Sequence, residues 1–230
     1  MTRRMTSPVR HAQELEDAES WVVTGVVSDP RTPGYEVIEL NETRFASLPS
    51  DLISKSGIQL GTSLDPTQFR GLSEAADLEA ASRVAVRLLA ARPRTELEMR
   101  RALRDRGHRP LAIDSAVQRL SERDLLNDAE YARNFARIRC EKGHGRSRIV
   151  ADLRAKGVHR QIAEAAATEV LEGEGVDALE QARQLAVKRL GQLTHVSNAV
   201  RRRRVLSFLG RRGYHGWEVR EMLDELIDQY

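Results

Sequence analysis

Two different hydrophobic patterns divide the chain. Between Trp21 and Leu64, short β-branched runs such as Trp21–Val27 and Tyr35–Leu40 alternate with Pro- and Gly-containing segments, which is typical of strands joined by turns. From Ser73 onward, apolar residues recur three and four positions apart, as they do on one face of a helix. The pattern predicts a small β-hairpin or sheet region over residues 20–72 and helices beyond it. Residues 1–19 are predicted to form a flexible tail.

The helical part repeats one short motif three times, in which a leucine precedes a glycine by four residues. The copies are Leu103 with Gly107, Leu153 with Gly157, and Leu209 with Gly213. The glycine suits the position after a helix, where a left-handed backbone is favoured, and each copy is followed by a second apolar helical stripe. A further helix precedes each copy. We therefore predict three tandem three-helix repeats, named repeats 1, 2 and 3, over residues 73–126, 127–176 and 177–230.

The three helices of each repeat, called a, b and c in chain order, differ in charge. The b helices are basic, with formal balances of +1 for Thr95–Arg106, +3 for Gly145–Lys156 and +6 for Asn198–Arg212. The c helices are acidic, with −3 for Val158–Glu174 and −4 for Trp217–Tyr230. A lone repeat cannot bury its apolar face, so neighbouring repeats are expected to stack with equivalent helices side by side. The b helices would then form a basic stripe and the c helices an acidic edge.

This charge pattern bears on how the chain could bind an anionic partner. Each b–Gly–c pair has the outline of a helix-turn-helix, but helix c would then enter a DNA groove, and its carboxylates would meet phosphates. The basic residues of the second and third b helices are the candidate contacts: Arg146, Arg148, Arg154, Lys156, Arg201, Arg202, Arg203, Arg204, Arg211 and Arg212. Isolated arginines also serve simply to solvate a helix surface. The run Arg201–Arg204 reaches every side of a helical turn, which solvation alone does not require.

Neither the composition nor the motifs indicate catalysis. The six histidines are scattered, and no phosphate-cradling loop of the P-loop kind occurs, so no catalytic, metal or cofactor site is predicted. The single cysteine, Cys140, excludes an internal disulfide and is interpreted as structural. No apolar run approaches the length of a membrane span, and the basic start of the chain lacks the apolar core of a signal peptide. We therefore expect a cytoplasmic protein that is not an enzyme.

Several short motifs follow one another in a fixed order along the helical part. They are Arg94-Thr95 with Glu96-Leu97, Asp128-x-x-Tyr131-Ala132 with Phe135 and Arg139, Gly145-Arg146-x-Arg148-Ile149 leading to Leu153-x-x-Lys156-Gly157-Val158, and Phe208-Leu209 with Arg211-Arg212-Gly213-Tyr214. At three-repeat spacing, this ordered set resembles the RecX family of recombination regulators. The resemblance covers residues 78–230. Thr95 stands where the family usually has Ser, and residues 1–72 match only loosely.

The resemblance implies a mainly α, elongated and curved solenoid that binds the RecA recombinase. Family members lie in the groove of RecA filaments on single-stranded DNA, where they typically inhibit strand exchange, ATP hydrolysis and co-protease activity in recombination and the SOS response. It also implies a monomer with weak, sequence-independent contact to single-stranded DNA. The residues themselves leave an alternative open: a general, sequence-independent nucleic-acid-binding protein that acts through its basic helix stripe.

Overall fold

The N-terminal region folds as a four-stranded antiparallel sheet. The computed structural model describes residues 20–229, so the tail predicted for residues 1–19 lies outside the described residues. The strands are β1 (Trp21–Ser28), β2 (Tyr35–Leu40), β3 (Thr43–Pro49) and β4 (Ser63–Leu64), in the spatial order β3-β2-β1-β4. The predicted hairpin is confirmed: β1 pairs with β2 around the Pro/Gly turn, and Val26 lies opposite Ile38.

The rest of the described chain is helical. The helices are α1 (Ser50–Ser56), α2 (Pro66–Ala91), α3 (Glu96–Arg104), α4 (Pro110–Glu122), α5 (Asp128–Glu141), α6 (Arg146–Ala155), α7 (Arg160–Gly173), α8 (Ala178–Leu190), α9 (Asn198–Arg212) and α10 (Trp217–Asp228). Helices α2, α3 and α4 are a, b and c of repeat 1; α5, α6 and α7 are those of repeat 2, and α8, α9 and α10 those of repeat 3. The mainly α fold class with a small N-terminal sheet is confirmed.

Two elements differ from the sequence prediction near the end of the sheet region. Helix α1 occupies a segment for which the apolar pattern gave no helix, and α2 begins at Pro66 instead of near Ser73. The early start has a local cause. The Asp65 side chain accepts hydrogen bonds from the backbone of Thr67 and Gln68, and the Gln68 side chain accepts one from the Asp65 N–H, which completes a capping box. The first turns of α2 then cover the sheet, where Phe69 stacks on Trp21 with ring centroids 4.2 Å apart.

Each repeat encloses its own apolar core, built in the same way. The motif leucines Leu103, Leu153 and Leu209 are fully buried at 0% exposure, as expected for the inner face of each b helix. Each a helix presents two alanines to this leucine face, and all six are also at 0%: Ala81, Ala85, Ala132, Ala136, Ala182 and Ala186. Such small side chains let the helix backbones approach closely, so one compact pattern recurs with little change.

The chain divides into two compact units. The first contains the sheet region and residues up to Pro93 together with Met99–Leu126. The second contains Arg94–Glu98 together with the residues from Asn127 onward, so repeats 2 and 3 share a unit with the first turn of α3. Across residues 20–229, no helix combines the length and the apolar character needed to cross a membrane.

Candidate functional site

The second unit contains two corresponding contacts between consecutive repeats, each called a joint here, in which a backbone carbonyl oxygen accepts a hydrogen bond. Thr95, which precedes α3, donates from its hydroxyl to the carbonyl oxygen of Lys156 at 2.7 Å. Gly145, which precedes α6, donates its N–H to the carbonyl oxygen of Arg212 at 2.8 Å. Lys156 and Arg212 both stand immediately before their repeat glycine. The residue before α3 therefore contacts the residue after α6, and the residue before α6 contacts the last residue of α9.

The repeat glycines are required by this joint. Gly157 and Gly213 have φ values of +89° and +93°, which residues other than glycine rarely adopt. A Cβ atom at Gly213 would lie 2.5 Å from the backbone nitrogen of Arg148, and one at Gly157 would lie 2.4 Å from the Cβ of Leu97. Gly107 of repeat 1 has a φ of +84°, but a Cβ there would meet nothing within 4 Å. Close approach is thus specific to the two glycines that meet a preceding repeat.

The joint changes the arrangement expected for the basic helices. Stacking was expected to place the b helices side by side, whereas the start of α6 meets the end of α9. The reason is the left-handed turn at Gly213, which brings the last carbonyl of α9 to the N–H of Gly145. The backbone contact between α6 and α9 therefore lies at the ends of the two helices, which do not pack against each other along their lengths.

Two of the ten candidate residues hold backbone carbonyls. Arg201 donates from Nε to the carbonyl of Leu193 at 2.9 Å and from Nη2 to that of Thr194 at 3.3 Å, so it fastens the α8–α9 loop. Arg212 donates from Nη1 to the carbonyl of Lys142 at 2.7 Å and so ties the end of α9 to the loop after α5. These arginines stabilise the repeat structure, whatever else they contact.

Three further candidates are paired with carboxylates. Arg148 pairs with Asp152 at 3.0 Å, Lys156 pairs with Glu98 at 3.1 Å, and the guanidinium of Arg202 makes two contacts with Asp224, of 2.5 and 3.0 Å. The Arg202–Asp224 pair joins α9 to α10. It lowers the pKa of the Asp224 carboxyl through the hydrogen bond from Arg202, so the pair stays ionised at neutral pH.

The other five candidates are exposed and form no ion pair with any residue from Ser20 to Gln229. They are Arg146, Arg154, Arg203, Arg204 and Arg211. Arg146 and Arg211 contact hydroxyl groups, Thr168 at 3.1 Å and Ser207 at 2.6 Å. Arg204 and Arg211 are seven residues apart, about two helical turns, and so lie on one face of α9, away from the buried Val205 and Leu209. These five arginines are the candidates most available to an anionic partner.

The structure adds an aromatic surface that the candidate list lacked. On α5, the rings of Tyr131 and Phe135 stack with centroids 6.2 Å apart, and the Arg139 guanidinium lies 5.0 Å from the Phe135 centroid. The Lys156 ammonium lies 5.7 Å from the same ring. Cations close to a ring face are attracted by its negative charge distribution. The sequence held a signal for this surface, because Tyr131, Phe135 and Arg139 belong to one of the ordered motifs that carry the family resemblance.

Repeat 3 has a related cation–aromatic contact at its own joint. The guanidinium of Arg212 lies 4.9 Å from the Phe208 centroid, and that of Arg189 lies 5.9 Å from it. Arg189 occupies the position in α8 that Arg139 occupies in α5. The same arrangement of arginine beside an aromatic ring therefore recurs next to the basic helices of both repeats.

The thiol of Cys140 is not activated, and the described histidines do not cluster for metal binding. Cys140 is buried, and burial raises the pKa of its thiol, which disfavours the nucleophilic thiolate. Within the described part of the chain, no group of three or more His, Cys, Asp or Glu side chains is placed to hold a metal ion. What the arrangement does provide is a set of accessible guanidinium groups on rigid helices.

Taken together, the fold and the exposed side chains define a class of protein built from three-helix repeats, with exposed arginines on the b helices of repeats 2 and 3. Three family models match its sequence: the first three-helix domain of RecX at residues 81–120, the second at 127–166 and the third at 176–223. The chain belongs to the RecX family.

Relatives agree with this assignment, and solved structures share the fold. The regulatory protein RecX of Amycolatopsis mediterranei is 36% identical over 144 residues, which cover 62% of this chain and 81% of that protein. That of Halorhodospira halophila is 38% identical over 150 residues, covering 65% and 90%. A crystal structure of regulatory protein RecX matches the fold with a TM-score of 0.72 at 20% identity, over 89% of this chain and 99% of that one. RecX from Lactobacillus salivarius gives 0.56 at 23% identity, over 67% and 98%.

Proposed function

We propose that this protein binds the RecA recombinase and its filaments on single-stranded DNA, and inhibits strand exchange, ATP hydrolysis and co-protease activity. It acts in the cytoplasm, as a monomer without a cofactor, during recombination and the SOS response to DNA damage. The observation that supports this most is the match of all three helical repeats to the RecX family. The proposal explains why exposed arginines are concentrated on helices α6 and α9.

The charge on α9 supports a filament as the target. Arg203, Arg204 and Arg211 are exposed and form no ion pair with residues 20–229, so their charge is available to acidic protein side chains and to phosphates. Contacts with phosphates position a protein on nucleic acid without reading its sequence, which suits a regulator that must act on filaments of any sequence.

The test is the ATPase activity of RecA filaments on single-stranded DNA, titrated with the full chain. We expect the rate to fall at amounts stoichiometric with RecA. The double variant R203A/R204A should need about tenfold more protein for the same inhibition, since two exposed contacts of roughly 0.7 kcal/mol each correspond to that ratio. An ATPase rate that stays unchanged with the unaltered protein at stoichiometric amounts would refute the proposal.

A matched control separates this loss from a general loss of positive charge. Arg119 and Arg123, at the end of α4 and just after it, are also exposed, so R119A/R123A removes the same charge from a helix outside the candidate site. We expect this variant to inhibit like the unaltered protein. Equal losses in both variants would show a non-specific charge effect and would favour the alternative, a general nucleic-acid-binding protein. Inhibition that survives R203A/R204A while binding of free DNA disappears would exclude that alternative.

A further inference from the structure

Three arginines from three different helices lie close to the loop that carries His144, where repeats 2 and 3 meet. Arg139 accepts from the His144 N–H at its backbone carbonyl, Arg212 donates to Gly143, and Arg148 lies in the helix that follows. Arg139 comes from the end of α5, Arg148 from the first turn of α6 and Arg212 from the end of α9. Burial lowers the pKa of His144, the charges of these three arginines lower it further, and the Asp152 carboxylate opposes them. Residues distant in sequence are thus brought to one loop by the joint between the repeats.

The charges in this cluster do not balance. Asp152 accepts contacts from both Arg139 at 3.2 Å and Arg148 at 3.0 Å, so one carboxylate serves two guanidinium groups. Arg212 directs Nη1 to the carbonyls of Lys142 and Gly143, which carry no net charge. The three arginines and Asp152 leave a formal excess of two positive charges around a neutral imidazole. An anion would offset part of that excess.

The cluster is open to a ligand and rigidly held. The side chains of Arg139 and Arg148 are 32% and 47% exposed, whereas Asp152 beneath them is 14% exposed. The planar guanidinium group matches the geometry of phosphate oxygens, which it binds through paired N–H groups. Two exposed arginines neighbour the cluster along the chain, Arg146 two residues before Arg148 and Arg211 one residue before Arg212, so a ligand with repeated phosphates can make further contacts.

We propose that Arg139, His144, Arg148 and Arg212 form an anion site that binds one phosphodiester group of single-stranded DNA. This deepens the proposed function, on which it rests, because it assigns the DNA contact of the protein to the joint between repeats 2 and 3. It also separates that contact from the exposed face of α9, which remains available to the recombinase.

The imidazole gives this site a signature that a surface arginine patch lacks. Burial, with the neighbouring arginines as a smaller cause, lowers the pKa of His144, and its Nδ1 atom is enclosed without a hydrogen-bond partner among residues 20–229. A bound phosphodiester adds a negative charge and so raises the pKa of His144 above its value in the free protein. Binding therefore takes up a proton, and affinity increases as the pH falls through the range in which His144 titrates.

The experiment measures binding of a labelled oligo-dT strand to the full chain by fluorescence anisotropy, at about pH 6 and about pH 8. We expect tighter binding at the lower pH for the unaltered protein. H144Q should lose most of this pH dependence, while H159Q, which changes an exposed histidine outside the cluster, should keep it. R148Q should weaken binding several-fold and reduce the slope of log affinity against log salt by about 0.7, the value for one lost phosphate contact.

A measurement on the unaltered protein keeps the test independent of how the variants fold. The His144 ring resonances, followed by NMR across a pH titration, should report a higher pKa when oligo-dT is present. An unmoved His144 titration, or a pH dependence that persists in H144Q, overturns the site. Weaker binding of H144Q or R148Q to DNA-free RecA, with DNA affinity unchanged, also overturns it by assigning the cluster to protein. The ATPase titration is read separately, so loss of the DNA site and failure of the proposed regulation remain distinguishable.

Discussion

Replacing Gly213 by alanine tests the joint between repeats 2 and 3 directly. The substitution places a methyl group on a residue with a φ of +93°, 2.5 Å from the backbone nitrogen of Arg148 and 2.9 Å from the carbonyl oxygen of Gly145. The left-handed conformation alone is unfavourable for alanine by about 1–2 kcal/mol. Because backbone atoms cannot rotate out of the way, overpacking adds about 1–3 kcal/mol. We expect G213A to lower the free energy of unfolding by about 2–5 kcal/mol.

Two other glycines supply controls for the conformational part of this loss. Gly175 lies in the same compact unit with a φ of +62°, and Gly107 is the repeat equivalent in repeat 1; a Cβ at either position meets nothing within 4 Å. G175A and G107A should therefore lose only about 1–2 kcal/mol. G157A, whose added methyl would meet the Leu97 side chain, should resemble G213A.

The assay is urea unfolding followed by far-ultraviolet circular dichroism, with each variant compared to the unaltered chain. The difference that matters is between G213A and G175A, because both report on the second unit. The contrary result is an equal loss of free energy of unfolding in both variants, within about 0.5 kcal/mol, the scatter expected between independent sites. That result would show that the close approach at Gly213 does not contribute to stability, and it would refute the proposed role of the joint.

Two further predictions concern single side chains in the second unit. T95V keeps the shape of a fully buried side chain but removes its hydroxyl, which donates to the Lys156 carbonyl and accepts from the Glu98 N–H. We expect T95V to lower the free energy of unfolding in urea by about 1–3 kcal/mol. T95S keeps the hydroxyl and should be nearly neutral. Burial raises the pKa of Tyr214 to about 12, so the unfolded state loses the phenol proton first as the pH rises above 10. The thermal unfolding midpoint should therefore decrease between pH 10 and 12. In Y214F, the midpoint should decrease less over the same range.

The sequence predicted the parts of the fold that depend on local pattern. The motif leucines lie on the buried faces of the b helices, because apolar residues repeated at helical spacing form the face of an amphipathic helix that packs against the core. Helix α1 was missed because its seven residues bury only Ile53, which leaves no periodic stripe. The early start of α2 was missed because its signal was the cap at Asp65 rather than an apolar pattern. The capping signal for α2 was thus present in the sequence, but the prediction followed the apolar periodicity instead.

The candidate site was less predictable, because charge alone does not reveal which partner an arginine has. The basic residue before each repeat glycine shows this. Arg106 donates to the Ala102 carbonyl of the helix that precedes it, Lys156 pairs with Glu98, and Arg212 donates to carbonyls of the loop after α5. Three residues of like charge at one repeat position therefore have three kinds of partner.

The difference in partners depends on whether a preceding repeat contacts the basic residue. Lys156 and Arg212 stand at joints where a preceding repeat presents a carboxylate or open carbonyls, whereas a Cβ at Gly107, beside Arg106, meets no neighbouring atom within 4 Å. The same joint that occupies Arg212 also gathers Arg139 and Arg148 around His144. The position before the repeat glycine thus makes a contact within its own repeat at Arg106 but a contact between repeats at Arg212. The excess positive charge of Arg139, Arg148 and Arg212 over Asp152 makes the joint between repeats 2 and 3 a candidate for binding phosphate.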